Sequence, residues 1–154
     1  MSDLFDIESL RQRYLQEDFA EQTFLPDAAK LAAFATACGE LASRYTDPAD
    51  SDFQAAPTFP SSLQPKQRLP EGFPKLPGLG MDTGKSVIPM QPIRPGVRLT
   101  ARIHLHDIYR KTGRSGHMTF FVTRMEFYDP QGVQVASADT STVIREKPTV
   151  EDAS

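Results

Sequence analysis

The sequence predicts an α+β fold: an antiparallel three-stranded meander in its second half, packed against a helix from its first half. Three observations predict it. Val97, Leu99, Ala101, Ile103 and Leu105 alternate with Arg98, Thr100, Arg102, His104 and His106, the two-residue period of a strand with one buried and one wetter face. Two turn signals then punctuate the chain, Lys111-Thr-Gly-Arg-Ser-Gly116 and Asp129-Pro-Gln-Gly132; the first offers glycines for positive φ, the second a type I turn. The runs beside them, 117–128 and 133–145, are rich in aromatic and β-branched residues and read as the second and third strands. The last observation is a helical stripe, Leu31, Phe34, Ala35 and Cys38, whose spacing gives one apolar face to lay on a sheet.

Taken in order, Ile7, Leu10 and Tyr14 behind Asp6 predict a short amphipathic helix over 6–16, with Asp6 as its N-cap. Residues 18–24 read as a brief edge strand. The helix over 26–38 opens with Pro26 and Asp27, which suit a first turn, and stops at Gly39. Nine of the thirteen prolines then fall between Pro57 and Pro95. Proline removes a backbone donor and turns its predecessor away from helix, so no long helix is expected over 57–80. Phe59, Leu63, Leu69, Phe73, Leu76 and Leu79 make this an ordered loop rather than a linker. A further strand is expected at 86–90. The second meander strand is apolar on both faces, Met118, Phe120 and Val122 on one and Phe121, Met125 and Phe127 on the other; a helix or another subunit must cover the second.

The 154 residues form one domain, with an N-terminal helical arm over 1–23 and a polar tail over 146–154. A net charge of -3 speaks against a general nucleic-acid binder. No apolar run of about 18 residues is present to span a membrane, and the start lacks a secretory signal. The single cysteine, Cys38, fits a reducing cytoplasm and a buried place on its helix.

In order along the chain, several stretches resemble the MaoC-like hot-dog dehydratases, in particular the N-terminal half of that family, which is similar to the dehydratase of type I fatty-acid synthases. They are Leu31-Ala-Ala-Phe-Ala-Thr-Ala-Cys-Gly-Glu40, Tyr45-Thr-Asp-Pro48, Ala56-Pro-Thr-Phe59, Pro92-Ile-Arg-Pro-Gly96, the hairpin run Asp107 to Gly116, and Tyr128-Asp-Pro-Gln-Gly132. The resemblance implies a curved antiparallel sheet wrapped on a helix, with the central helix short or missing because of the proline-rich loop. It also implies two units paired into a double hot dog, with an acyl-CoA or acyl-carrier thioester in the seam. Catalytic units of the family carry Gly-Asp-x-Asn-Pro-x-His, whose aspartate and histidine add water to, or remove it from, an enoyl thioester. This chain has no such run. The resemblance therefore implies a non-catalytic subunit of an enoyl-CoA hydratase, a lyase of lipid metabolism, completed by a catalytic MaoC-like partner in a heterodimer. Its acyl group is expected to be bulky, as in steroid side-chain degradation. CoA enters as part of the substrate, and no separate cofactor is expected. The rival expectations are a self-dimer active alone as hydratase or thioesterase, and an acyl-CoA- or lipid-binding module without chemistry.

Candidate site residues follow from both readings. His104 and His106 are expected on an exposed or interface strand face, without metal-ligand spacing. If the chain were active alone, Asp139 or Asp107 with His104 would be the acid–base pair; Asp139 is otherwise a surface carboxylate. Lys111, Arg114, Ser115 and Gly116 combine cations with turn N–H groups that could hold CoA phosphates, against the plainer reading of a solvated hairpin tip. Gly78-Leu-Gly-Met-Asp-Thr-Gly-Lys-Ser86 ends like a P-loop, but its first glycine is out of place and no strand–helix context surrounds it.

Overall fold

The computed structural model describes residues 6–114 and 116–146; the expected tail from residue 147 onward and the candidate Ser115 lie outside them. Five antiparallel strands form one sheet in the order β1-β3-β4-β5-β2: β1 (Asp18–Phe24), β2 (Leu79–Pro89), β3 (Leu99–Gly113), β4 (Gly116–Tyr128) and β5 (Gln134–Arg145). Helices α1 (Ile7–Tyr14), α2 (Ala28–Ala37) and α3 (Ser43–Thr46) complete it. Among the described residues no helix is long and apolar enough to cross a membrane.

Capping sets the two main helices. Asp6 accepts from the Glu8 N–H and Asp27 from the Lys30 N–H, each satisfying a donor that a helix start leaves open. Asp27 thus caps α2 rather than sitting in its first turn. Gly39 ends α2 with φ 79°, a conformation costly for residues with a Cβ.

The inner face of the sheet buries Leu99, Ala101 and Ile103 of β3, Met125 and Phe127 of β4 and Ala136 and Ala138 of β5 against Leu31 of α2 and Phe53 and Phe59. The face of β4 that carries Phe121, Met125 and Phe127 is thereby covered from within the chain. From Thr119 onward the strand's odd-numbered residues are buried, and its even-numbered ones form a half-buried outer face. Cys38 is exposed rather than buried, because it caps the last turn of α2 beside Gly39.

Two departures of the strands from the sequence reading matter for the site. β3 runs on through Lys111 to Gly113, because a bulge at His106 resets the register between Leu105 and Asp107. β2 begins at Leu79, well before residue 86, and pairs with β5 along its length. The P-loop-like stretch is therefore mostly edge strand, with Gly78 at φ 130° where an added Cβ would run into the Arg145 carbonyl oxygen. The proline-rich segment is an ordered covering whose regular part is a 3-10 turn at Phe59–Ser62. The N-terminal arm is not purely helical, since β1 within it is an edge strand of the sheet.

Candidate functional site

Register places a row of polar residues straight across the outer face. Asp18 of β1 pairs with His104 of β3, His104 with Arg124 of β4, and Arg124 with Asp139 of β5. The next row sets Glu21 against Arg102 and Arg102 against Glu126. Glu21 with Arg102, Arg102 with Glu126 and Arg124 with Asp139 set opposite charges across strands, the favourable arrangement, while His104 stands between Asp18 and the like-signed Arg124.

His104 sits at the centre and is buried within the chain, where its alternation predicts an exposed or interface strand face. The neighbouring strands supply the cover that a single-strand reading misses. Its Nδ1 lies 3.5 Å from Glu126 Oε1 and 3.6 Å from Asp18 Oδ1, and its Nε2 lies 3.4 Å from His106 Nδ1. Glu126 also accepts a 2.7 Å hydrogen bond from the Tyr128 hydroxyl, and that bond raises the Tyr128 pKa. Burial pushes the His104 pKa below its ordinary 6.5, while Glu126 and then Asp18 pull it the other way.

That balance has a definite sign. The folded chain holds His104 neutral at pH values where the unfolded chain already binds a proton, so stability should fall as pH drops below about 6.5. The loss continues until the depressed folded pKa is reached; above that window His104 contributes no slope. Urea unfolding at a series of pH values should show this dependence, and His104→Gln should flatten it. An unchanged slope in that variant would assign the dependence to other groups.

The other expected acids are engaged structurally. Both oxygens of Asp139 accept from Arg124, at 2.7 Å from Nε and 2.9 Å from Nη2. Asp107 accepts from Arg11 of α1 and from the Ile108 N–H, so it ties the N-terminal helix to the bulge. The structure therefore brings His104 near Asp18 and Glu126, and not near Asp107 or Asp139 as an acid–base pair. Asp18 and Glu126 escape a reading of one sequence because only strand pairing brings them to His104. Among the described residues no three His, Cys, Asp or Glu side chains are grouped to hold a metal ion.

At the hairpin tip, Gly113 pairs with Gly116, and Arg114 between them is exposed. Lys111 is turned back over the sheet, its Nζ 5.4 Å from the Phe120 ring and 5.7 Å from the Tyr109 ring, which are stacked at 4.8 Å.

A cavity of about 200 Å³ opens elsewhere, between the loop before the 3-10 turn, the end of β2 and the start of β5. Ala55, Pro60, Met90, Ile93, Val135 and Ala136 give it apolar walls, and Gln54 and Gln91 its polar groups. None of its lining residues is titratable. A second hollow, of about 390 Å³, runs along the β1 edge beneath Lys66 and Gln67. His104 lines neither.

Comparison with known proteins adds the lineage. Residues 17–138 match the family model described as FAS1-like, dehydratase domain region. Comparison with curated proteins finds no match. Among solved structures, a MaoC-like dehydratase from Phytophthora capsici superposes with a TM-score of 0.66 at 24% identity, over 90% of this chain and 50% of that one. This chain thus spans half the length of that relative. An (R)-hydratase from A. caviae involved in PHA biosynthesis gives 0.55 at 16% identity, over 86% of this chain and 97% of that one. The HadBC 3R-hydroxyacyl-ACP dehydratase complex from Mycobacterium tuberculosis gives 0.54 at 15% identity, over 83% and 99%. The shared architecture is the hot-dog fold, and the chain belongs to the family of FAS1-like dehydratase domain regions, with the MaoC-like fold of its structural neighbours.

Proposed function

We propose that this chain is the non-catalytic half of a heteromeric enoyl-thioester hydratase or dehydratase, walling the acyl channel while a catalytic MaoC-like subunit supplies the aspartate and histidine. The observation that carries the reading is the cavity beside Val135 and Ala136, apolar and without a titratable lining side chain. Water addition to an enoyl thioester needs an acid and a base within reach of the substrate, and a wall without them needs a partner that has them. His104, the imidazole whose pKa burial lowers, faces the other side of the sheet.

The exposed edge strand β2 is the proposed seam. It leaves one side of its backbone unpaired and shows Leu79, Met81 and Ile88 to solvent at 67%, 49% and 51% exposure. An edge of that kind invites another strand. Arg114 and Lys111 are the proposed contacts for CoA phosphates, and CoA arrives with the substrate as the only non-protein group. A bulky acyl group, such as a steroid side chain, is favoured because residues 57–78 carry a single 3-10 turn where a longer helix would crowd the channel. The HadBC structure, a complex, supports a partnered assembly.

Hydration of trans-2-enoyl-CoA tests the reading, followed as loss of the conjugated thioester absorbance. The chain alone should give no turnover, and adding a MaoC-like subunit that bears the Gly-Asp-x-Asn-Pro-x-His run should raise the rate about 100-fold or more over either alone. Turnover by the isolated chain that His104→Gln abolishes would replace the proposal with a self-sufficient enzyme. Acyl-CoA binding without turnover in the mixture would replace it with a binding module.

A further inference from the structure

The inner face has two halves, and α2 covers only one. The other is roofed by the proline-rich segment, where Leu69, Phe73 and Leu76 lie against Leu105, Ile108 and Phe121 together with Leu10 and Tyr14 of α1. The floor is sealed, with Leu105 and Ile108 fully buried and Phe121 nearly so, while the three roof side chains are only partly buried. Phe73 is the wedge. Its ring centroid lies 5.0 Å from that of Tyr14 and 5.6 Å, edge-on, from that of Phe121.

Within residues 69–76 few polar ties hold the roof down; the firmer ones precede it, where Arg68 pairs with Asp82 and the Lys66 N–H donates to Gln22. Pro65, Pro70, Pro74 and Pro77 have no amide hydrogen, so the segment cannot build a ladder onto the sheet. Phe73 N–H donates to the Pro70 carbonyl within the segment. The Tyr14 hydroxyl donates to the Gly72 carbonyl, and the Thr123 hydroxyl to the Arg68 carbonyl, each at 3.0 Å. These are single neutral hydrogen bonds that water can replace. The main loss on lifting the roof is apolar burial of Phe73 and Leu76, and an apolar ligand entering the same space restores it. The two halves are continuous, since Phe19 packs against the clusters on both.

We propose that residues 69–76 form a displaceable roof over a second apolar chamber, and that Phe73 fills, in the free chain, the place taken by the distal part of a long or bulky acyl chain. The identity of the ligand rests on the functional reading above; the existence of the chamber does not. Short acyl groups leave Phe73 seated, and longer ones expel it, so the roof sets selectivity by length.

Dodecanoyl-CoA, butyryl-CoA and free dodecanoate are the probes, titrated calorimetrically into the full chain with its catalytic partner, with amide hydrogen exchange on the same samples. Phe73→Ala should tighten dodecanoyl-CoA about 5- to 10-fold, and dodecanoyl-CoA should speed exchange at residues 69–76 while slowing it in β3 and β4; butyryl-CoA should do neither. Tyr14→Phe, which removes only the hydroxyl tie to Gly72, should tighten dodecanoyl-CoA about 2-fold and serves if Phe73→Ala does not fold. A folded variant with unchanged or weaker dodecanoyl-CoA affinity, and a roof whose exchange ligand does not speed, would overturn the roof while both CoA esters still bound. If neither ester bound, the functional reading would fall instead, and dodecanoate would decide the chamber: faster roof exchange upholds it and unchanged exchange overturns it.

Discussion

Phe127→Ala should lower the free energy of unfolding by about 3–5 kcal/mol, the range for deleting a large buried aromatic. Phe127 is the largest fully buried side chain among the described residues. It lies at the middle of the inner face among Leu31 of α2, Leu99 and Ala101 of β3 and Ala136 of β5, with the Phe24 ring 6.0 Å away. Backbone pairing to β3 and β5 fixes the strand on both sides, so the walls cannot close over the void, and the upper part of the range applies. Leu41→Ala is the control. Leu41 is 95% exposed, and its loss should stay within about 0.5 kcal/mol. Guanidinium unfolding of both variants measures the contrast, and a cost below about 1 kcal/mol for Phe127→Ala would mean that α2 does not seal this face.

The same positions show what a sequence can and cannot reveal. Phe127 belongs to an alternating run between two turn signals, and its strand, its neighbours in the meander and the cap at Asp6 were readable from local pattern, whereas Asp27, read as a first-turn residue, is the cap of α2. Such features are set by residues adjacent in sequence, where period and turn chemistry act. The first part of β2 was not readable, because residues 79–85 are exposed and show no apolar alternation; their strand conformation comes from the β5 ladder. His104 was assigned to the right face and the wrong environment. Its cover comes from Asp18, Arg124 and Glu126, which lie on two other strands. One signal was present and passed over: the buried series Ile103, Leu105, Ile108 changes from two- to three-residue spacing, which marks the bulge at His106. The anchors in the proline-rich segment were visible as apolar residues, but their seat over Phe121 depends on the whole sheet.

Asp139 is where that limit bears most directly on function. From sequence it could be a surface carboxylate or a base aimed into a cleft; in the structure both its oxygens are taken by one guanidinium, with the two side chains about one-fifth and one-quarter exposed. The hydrogen bond from Arg124 to Asp139 raises the Arg124 pKa, so Arg124 stays charged. Asp139→Ala would leave that charge partly buried, facing His104 on one side with only Glu126 nearby to compensate. A fully buried pair broken this way costs about 3–5 kcal/mol and an exposed one about 0–1 kcal/mol; the intermediate exposure places this one at about 2–3 kcal/mol. Asp139→Asn retains one acceptor and should cost about half as much. Replacing the pair together, Arg124→Met with Asp139→Leu, should recover most of the loss, since two apolar side chains then pack where two charges were desolvated. Because the carboxylate is committed to Arg124, none of these changes should alter hydration by the assembled complex more than about 3-fold at a temperature where each variant is folded. A variant of normal stability with activity lost by about 100-fold or more, the scale on which a general base acts, would make Asp139 the base after all and return the chain to the class of enzymes active alone.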